Sequence, residues 1–179
     1  MYARQLRQAL GNHPETEHIF EGVFSCDSLP TRPRGERPSA MISNLAASGE
    51  PGTHWVAFFF NSKPPHEYFD SYGLPVAHDV YRDMLASDNG HLYVRNCNIL
   101  QSPFSTVCGQ YCMHFILMRS RGYTMEEIVN EFSSYDLTSN DRRVNNFARR
   151  NFGVKMDIYD SSFLLPRINS LLTNIALLT

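Results

Sequence analysis

The sequence predicts an α+β domain. Three observations carry that expectation. Residues 54–60, HWVAFFF, are nearly all apolar and rich in aromatic types, as in a central strand buried on both faces. From residue 105 to 152, helix start and stop signals dominate. The segments as a whole run helices, strands, helices. With 179 residues, 42% hydrophobic and 12% aromatic, the chain can bury a sizeable core as one domain over residues 1–179.

Each element has its own reason. Residues 2–10 read as a short helix with Leu6 and Leu10 on one face. PTRPRGERP, residues 30–38, is a surface loop, because its prolines and glycine break regular structure. Pro38 suits the first turn of a helix running to about Ala47, with Met41, Ile42 and Leu45 inward. GEPGT, residues 49–53, is a turn into the strand 54–60. NSKPPH is a hairpin-type loop, followed by a second strand over 67–72. A helix over 76–85 and a strand over 91–96 come next. Ser105 or Thr106 caps a long helix that stops near Gly122. Thr124 and Glu127 form a capping box that opens another. Residues 136–152 predict a polar helix with Val144, Phe147 and Phe152 inward. Residues 153–179 are a C-terminal extension, helix-compatible over 161–179.

The charge is nearly balanced, 16 Lys and Arg against 18 Asp and Glu, net −2, which argues against a polyanion-binding protein. Four cysteines, Cys26, Cys97, Cys108 and Cys112, are too few and too scattered for a disulfide scaffold. The opening MYARQLRQAL lacks the apolar core of a secretory signal, and no apolar run approaches bilayer length. The expectation is a soluble protein of a reducing compartment, with no membrane association.

The stretch LQSPFSTVCGQYC places Cys108 and Cys112 one helical turn apart, behind a loop holding Gln101. Three readings are open: a nucleophile, a metal-binding pair, or two buried thiols. In the opening turn of a helix, unpaired N–H groups and the dipole favour a thiolate at Cys108. Gly109 lets a substrate backbone approach closely. Against this, a helical cysteine is more often structural. A metal site would recruit Cys108, Cys112 and His114 with Cys97, but structural zinc sites favour a second closely spaced pair, and the sequence has none. No metal is expected, and Cys112 belongs to the core.

A thiolate nucleophile needs a base. His54 opens the apolar strand, so its ring can sit at the sheet edge. Asp70, closing the second strand, can accept the other imidazole N–H and fix the tautomer; a strand-end cap is the plainer reading. Trp55, the one tryptophan, is a core residue whose face can lie near a His54 imidazolium. Gln101 can donate to a developing oxyanion beside the Cys108 N–H, although most loop glutamines are simply solvated.

Taken together, THWVAFFFN, YFDSYG and QSPFSTVCGQYC resemble the adenovirus endopeptidase (adenain) family of cysteine proteases, including the adenain-like proteases of virus-like DNA transposons and related double-stranded DNA viruses. The order His, Asp, Gln, Cys reverses that of papain. The family's His-Trp pair matches His54-Trp55, its acidic member Asp70, its oxyanion glutamine Gln101, and its Cys-Gly pair Cys108-Gly109. The interval from Gln101 to Cys108 is that of adenain; SUMO proteases usually have a shorter one. Asp27 and Asn44 fall where adenain also carries Asp and Asn, and NDRRVNNFARRNF resembles the closing segment of the transposon-type proteases. The match covers most of residues 20–152.

The resemblance implies a papain-like fold, a central mixed sheet flanked by helices with the nucleophile at the start of a buried helix. It implies a cysteine endopeptidase that cleaves capsid or core precursors during particle maturation, with a preference for glycine near the scissile bond. Catalysis would fall to His54, Asp70, Gln101 and Cys108. Gly52, Trp55 and Gly109 would meet substrate, which Gly49 and Gly52 let lie alongside as an extended strand. Virion and host nucleus or cytoplasm are the implied locations, and a monomer the expected state. A ubiquitin-like-protein (SUMO-type) protease and a catalytically inactive binding module are the alternatives. Adenain is activated by a capsid-derived peptide, disulfide-linked to a cysteine upstream of the glutamine, and by viral DNA. Cys97 stands much closer to Gln101 than that cysteine does, so the disulfide is not expected here. An activating peptide is compatible with the sequence, no cofactor is required by it, and the charge balance disfavours DNA stimulation.

Overall fold

The computed structural model describes residues 2–30, 36–86, 93–154 and 157–159. Expectations for residues 31–35, 91–92 and 161–179 lie outside the described residues. In chain order the elements are α1 (Ala3–Gly11), β1 (Phe20–Ser25), β2 (Ser39–Asn44), β3 (Trp55–Phe60), β4 (Glu67–Phe69), α2 (Asp79–Leu85), β5 (Val94–Arg95), α3 (Cys108–Ser120), α4 (Met125–Asn130) and α5 (Leu137–Phe152). The strands form one sheet in the order β1-β2-β3-β4-β5. It is mixed: β1–β2 and β4–β5 are parallel, β2–β3 and β3–β4 antiparallel. The class is α+β with a central mixed sheet flanked by helices, as the sequence predicts.

β3 is the middle strand, and the pleat sends its side chains alternately to two cores. Ala57 and Phe59 join the larger cluster, which includes Tyr111, Phe115 and Ile116 of α3. Val56, Phe58 and Phe60 join the smaller one with Tyr68, Tyr81 and Met84. α3 is buried at every position from Cys108 to Met118. Such a helix belongs inside a protein, not on its surface. Phe69 stacks on Phe115 with ring centroids 4.6 Å apart. Phe115 lies two turns beyond Cys108, so this contact registers the end of β4 against the helix that starts with Cys108.

The helix expected from Pro38 to Ala47 is instead strand β2. Every residue of Ser39–Asn44 is buried, with Ala40 and Ile42 in one core and Met41 in the other. A short apolar run buried on both faces has no period that separates strand from helix; its pairing with β1 and β3 decides the matter. β1 has no counterpart among the sequence expectations. Its burial is irregular, a register shift falls at Phe20/Gly22, and Gly22 takes a φ of 142° that few other residues would tolerate.

The second strand stops at Phe69 rather than Tyr72, because the chain turns at Asp70, with the Gly73 N–H donating to the Asp70 carbonyl at 2.8 Å. Gly73 has φ 65°, and a Cβ there would stand 2.7 Å from the Asn98 carbonyl oxygen. Only glycine fits this crossing of the two loops. α2 begins at Asp79, later than expected. Thr124 and Glu127 do form the capping box, and Asp136 caps α5 through the Ser139 N–H. Val144 is buried in the core, and Phe147 and Phe152 pack against it.

Candidate active site

His54 immediately precedes β3 and Asp70 immediately follows β4, so the β3–β4 pairing brings them to one end of the sheet. His54 Nε2 lies 2.8 Å from Asp70 Oδ1, with both side chains almost fully buried. The same carboxylate oxygen accepts the Tyr72 N–H at 2.8 Å. Tyr72 also packs its ring against the imidazole, centroids 4.9 Å apart. With Nε2 held by Asp70, Nδ1 is the nitrogen left for the thiol, and His54 is within hydrogen-bonding reach of Cys108. Burial opposes the imidazolium, but Asp70 and then Cys108 outweigh it and raise the His54 pKa to about 9. Through neutral pH the ring is therefore protonated where it lies between Asp70 and Cys108, an arrangement that favours a thiolate.

Cys108 is the first residue of α3, and it is buried. The expectation that Ser105 or Thr106 caps this helix is corrected: the N-cap is Val107, and no side chain caps it. Thr106 donates from its hydroxyl to the Ile158 carbonyl at 3.2 Å, and Ser105 to the Ser102 carbonyl at 3.1 Å. The helix-start N–H groups are thus not taken up by a side-chain cap, and an anion beside Cys108 can use them. Cys112 is buried one turn deeper. Burial first, then the charges of Cys108 and Asp70, push its thiol pKa well above the ordinary range. His114 faces Glu131 at 3.6 Å and packs against Phe132 and Phe147. Among the described residues no cluster of three or more His, Cys, Asp or Glu is disposed to hold a metal.

Gln101 is completely buried, not solvated. Its Oε1 accepts the Ser71 hydroxyl at 2.7 Å, and its Nε2 donates to the Ser105 carbonyl at 3.0 Å. The Tyr111 hydroxyl, from the first turn of α3, donates to the Leu100 carbonyl at 2.9 Å. The glutamine is therefore anchored to the segment that delivers Cys108.

Several residues to which sequence reasoning gave no role build this frame. Asn96 grips the Asp70 backbone, donating to its carbonyl at 2.6 Å and accepting its N–H at 2.9 Å. Asn140 donates to the Leu100 carbonyl at 3.0 Å, and the buried Asp141 carboxylate accepts from the Tyr111 hydroxyl at 3.1 Å and the Ser102 N–H at 3.3 Å. These two open the segment NDRRVNNFARRNF, which thereby holds the glutamine loop. Asn44 Oδ1 accepts the Ala46 and Thr53 N–H groups, shaping the loop before His54. Asp27 Oδ1 accepts both the N–H and the hydroxyl of Ser48.

A cleft of about 690 Å³ opens onto Cys108. Gly52, Thr53, Trp55 and Thr106 line it, together with Tyr2, Arg7 and Val23. Gly52 is packed close to Asn44, where a Cβ would stand 3.1 Å from Nδ2. Trp55 thus borders the cleft. Gly109, the second residue of α3, is buried and is not among the residues that line the cleft. None of the four cysteines is in a disulfide, and Cys97 is exposed. No helix among the described residues is long and apolar enough to cross a membrane.

Two of the similarities to known proteins are as follows. The chain is 29% identical over 133 residues to the protease of avian adenovirus 8 (strain ATCC A-2A), a match covering 67% of this chain and 64% of that protein. The chain thus spans less than two thirds of the length of this curated relative. A crystal structure of an ASFV protease aligns with a TM-score of 0.43 at 19% identity, covering 68% of this chain and 45% of that one. No family model matches. The sequence is thus similar to that of an adenovirus protease.

Proposed function

We propose that this adenain-like chain is a cysteine endopeptidase that cleaves capsid or core precursor proteins of a DNA virus or virus-like transposon, acting in the particle or the infected cell. The observation that carries the reading is the buried His54–Asp70 pair, 2.8 Å apart, beside a cysteine at the uncapped start of a buried helix. The likeness to an adenovirus protease supports it.

In this reading the Cys108 thiolate attacks the scissile carbonyl, forming a C–S bond while the carbonyl electrons move onto oxygen. The oxyanion is met by the Cys108 N–H and the Gln101 amide. His54, protonated and oriented by Asp70, gives its proton to the departing amine as the C–N bond breaks. Water, deprotonated by the now neutral His54, then attacks the thioester and releases Cys108. An extended substrate lies in the cleft past Gly52 and Trp55. The test is incubation with the capsid and core precursors encoded beside this chain, with cleavage sites read by mass spectrometry. Cleavage by the wild type and none by Cys108→Ala supports the assignment. Release of a SUMO or ubiquitin C-terminal fusion, with the precursors untouched, would replace it with a ubiquitin-like-protein protease.

A further inference from the structure

Ser71 stands between the two halves of the site. It directly follows Asp70 and is 1% exposed. Its carbonyl accepts the Leu100 N–H at 2.9 Å and the Gln101 N–H at 3.1 Å. Its hydroxyl donates to Gln101 Oε1 at 2.7 Å. One residue therefore holds both the backbone and the side chain of the glutamine while joined covalently to the residue that orients His54.

The chemistry of the partners fixes which way the amide points. The Ser105 carbonyl can only accept, so the group facing it must be the NH₂ of Gln101. The oxygen must then face Ser71, which can donate. Without that hydroxyl, Oε1 would be left in a buried site with no donor from Ser71. The NH₂ would keep its Ser105 carbonyl and hydroxyl partners, at 3.0 and 3.1 Å, but the amide would be pinned at one end only. An amide free to tilt about that end would aim its N–H less well at the oxyanion.

We infer that Ser71 is a positioning residue that sets the Gln101 amide for oxyanion binding and ties it to the segment bearing Asp70. The inference rests on the reading of Gln101 given above and adds to it a second anchor, opposite Ser105, that holds the glutamine's orientation. Ser71 touches neither the thiol nor the substrate in this role. Its loss should therefore appear in turnover, not in thiol reactivity.

The experiment is a double-mutant cycle on cleavage of a fluorogenic peptide, using Ser71→Ala, Gln101→Ala and the double variant in the full chain. Ser71→Ala should lower kcat by about 10- to 10²-fold, short of the full loss of an oxyanion donor. KM should hold, and so should the rate and pH profile of Cys108 alkylation by iodoacetamide. In the Gln101→Ala background, Ser71→Ala should cost nothing further. Ser71→Thr, which keeps a hydroxyl, should recover part of the loss. Urea midpoints report any general destabilisation separately. A Ser71→Ala loss that multiplies with that of Gln101→Ala, or a parallel fall in alkylation rate, would overturn the inference and leave the proposed function standing. If Gln101→Ala itself cleaves at the wild-type rate, the oxyanion assignment fails, and this inference fails with it.

Discussion

Asn96 holds both backbone polar groups of Asp70, its amide nitrogen 2.6 Å from the carbonyl and its amide oxygen 2.9 Å from the N–H. Asp70 sits where β4 has ended, so no ladder bond supports it there. A side chain from the next strand's exit substitutes for a missing neighbour. Asn96→Ala would strip two partners from a residue that is 1% exposed. We expect a loss of stability on the order of 2 kcal/mol, read as a lower urea midpoint at unchanged m, together with a fall in kcat as Asp70 loses its setting. An unchanged midpoint would show that the clamp is incidental.

The His54–Asp70 pair makes stability depend on pH with a definite sign. The folded pKa of His54, about 9, lies above the unfolded value near 6.5. The folded state therefore binds the extra proton between those values. Its stabilising contribution is complete below about 6.5 and is lost as pH rises through about 9. Urea unfolding at pH 7 and pH 9.5 should show that loss, and it should be absent in Asp70→Asn. Peptide cleavage should fall over the same alkaline limb, because the leaving amine then finds no proton on His54. A stability that rises from pH 7 to 9.5 contradicts the assignment.

Cys108 should be the first thiol to react with limiting iodoacetamide. Cys112 is buried with its thiol pKa pushed well up, and that of Cys26 is raised by burial and by Asp27. Cys97 is the informative control, because it is exposed. Accessibility alone would put Cys97 first, whereas thiolate character puts Cys108 first. Peptide mapping after brief labelling distinguishes the two.

Gln101→Ala should separate reactivity from turnover. The amide serves the oxyanion and not the thiolate, so alkylation of Cys108 should stay near normal. Peptide cleavage should drop by about 10²- to 10³-fold, the range for loss of one oxyanion donor. Unchanged cleavage would return Gln101 to a purely structural role within the Ser71–Ser105 network.

DNA should stimulate cleavage little at physiological salt. Of the four arginines on α5, Arg143 is engaged with Glu131, its Nη2 2.7 Å from the carboxylate. That leaves Arg142, Arg149 and Arg150 for phosphates on that helix, and each phosphate contact weakens as salt rises. Peptide cleavage with and without duplex DNA, at about 50 and 150 mM salt, tests this. A large stimulation that survives the higher salt and disappears in the triple alanine variant would show that DNA is a cofactor here.

What the sequence by itself determined is local or strongly periodic. HWVAFFF reads as a buried strand because its apolar content leaves no solvent face. Thr124 and Glu127 announce a helix start because both partners of the box lie within one turn. Cys108 reads as a helix-opening thiol, and the ordered set His54, Asp70, Gln101, Cys108 stands out once the residues are taken together. What only the tertiary structure decided depends on partners distant in sequence. Ser39–Asn44 became a strand because β1 and β3 offered hydrogen bonds on both sides, which its own apolar run does not encode. Ser105 was drawn away from capping α3 by Ser102 and Gln101. Asn96, Ser71 and Asp141 look like ordinary loop or helix polar residues, yet each is buried on a partner some thirty or so positions away. A buried polar side chain must find a partner, and which one it finds is set by how the loops cross, not by its neighbours in the chain.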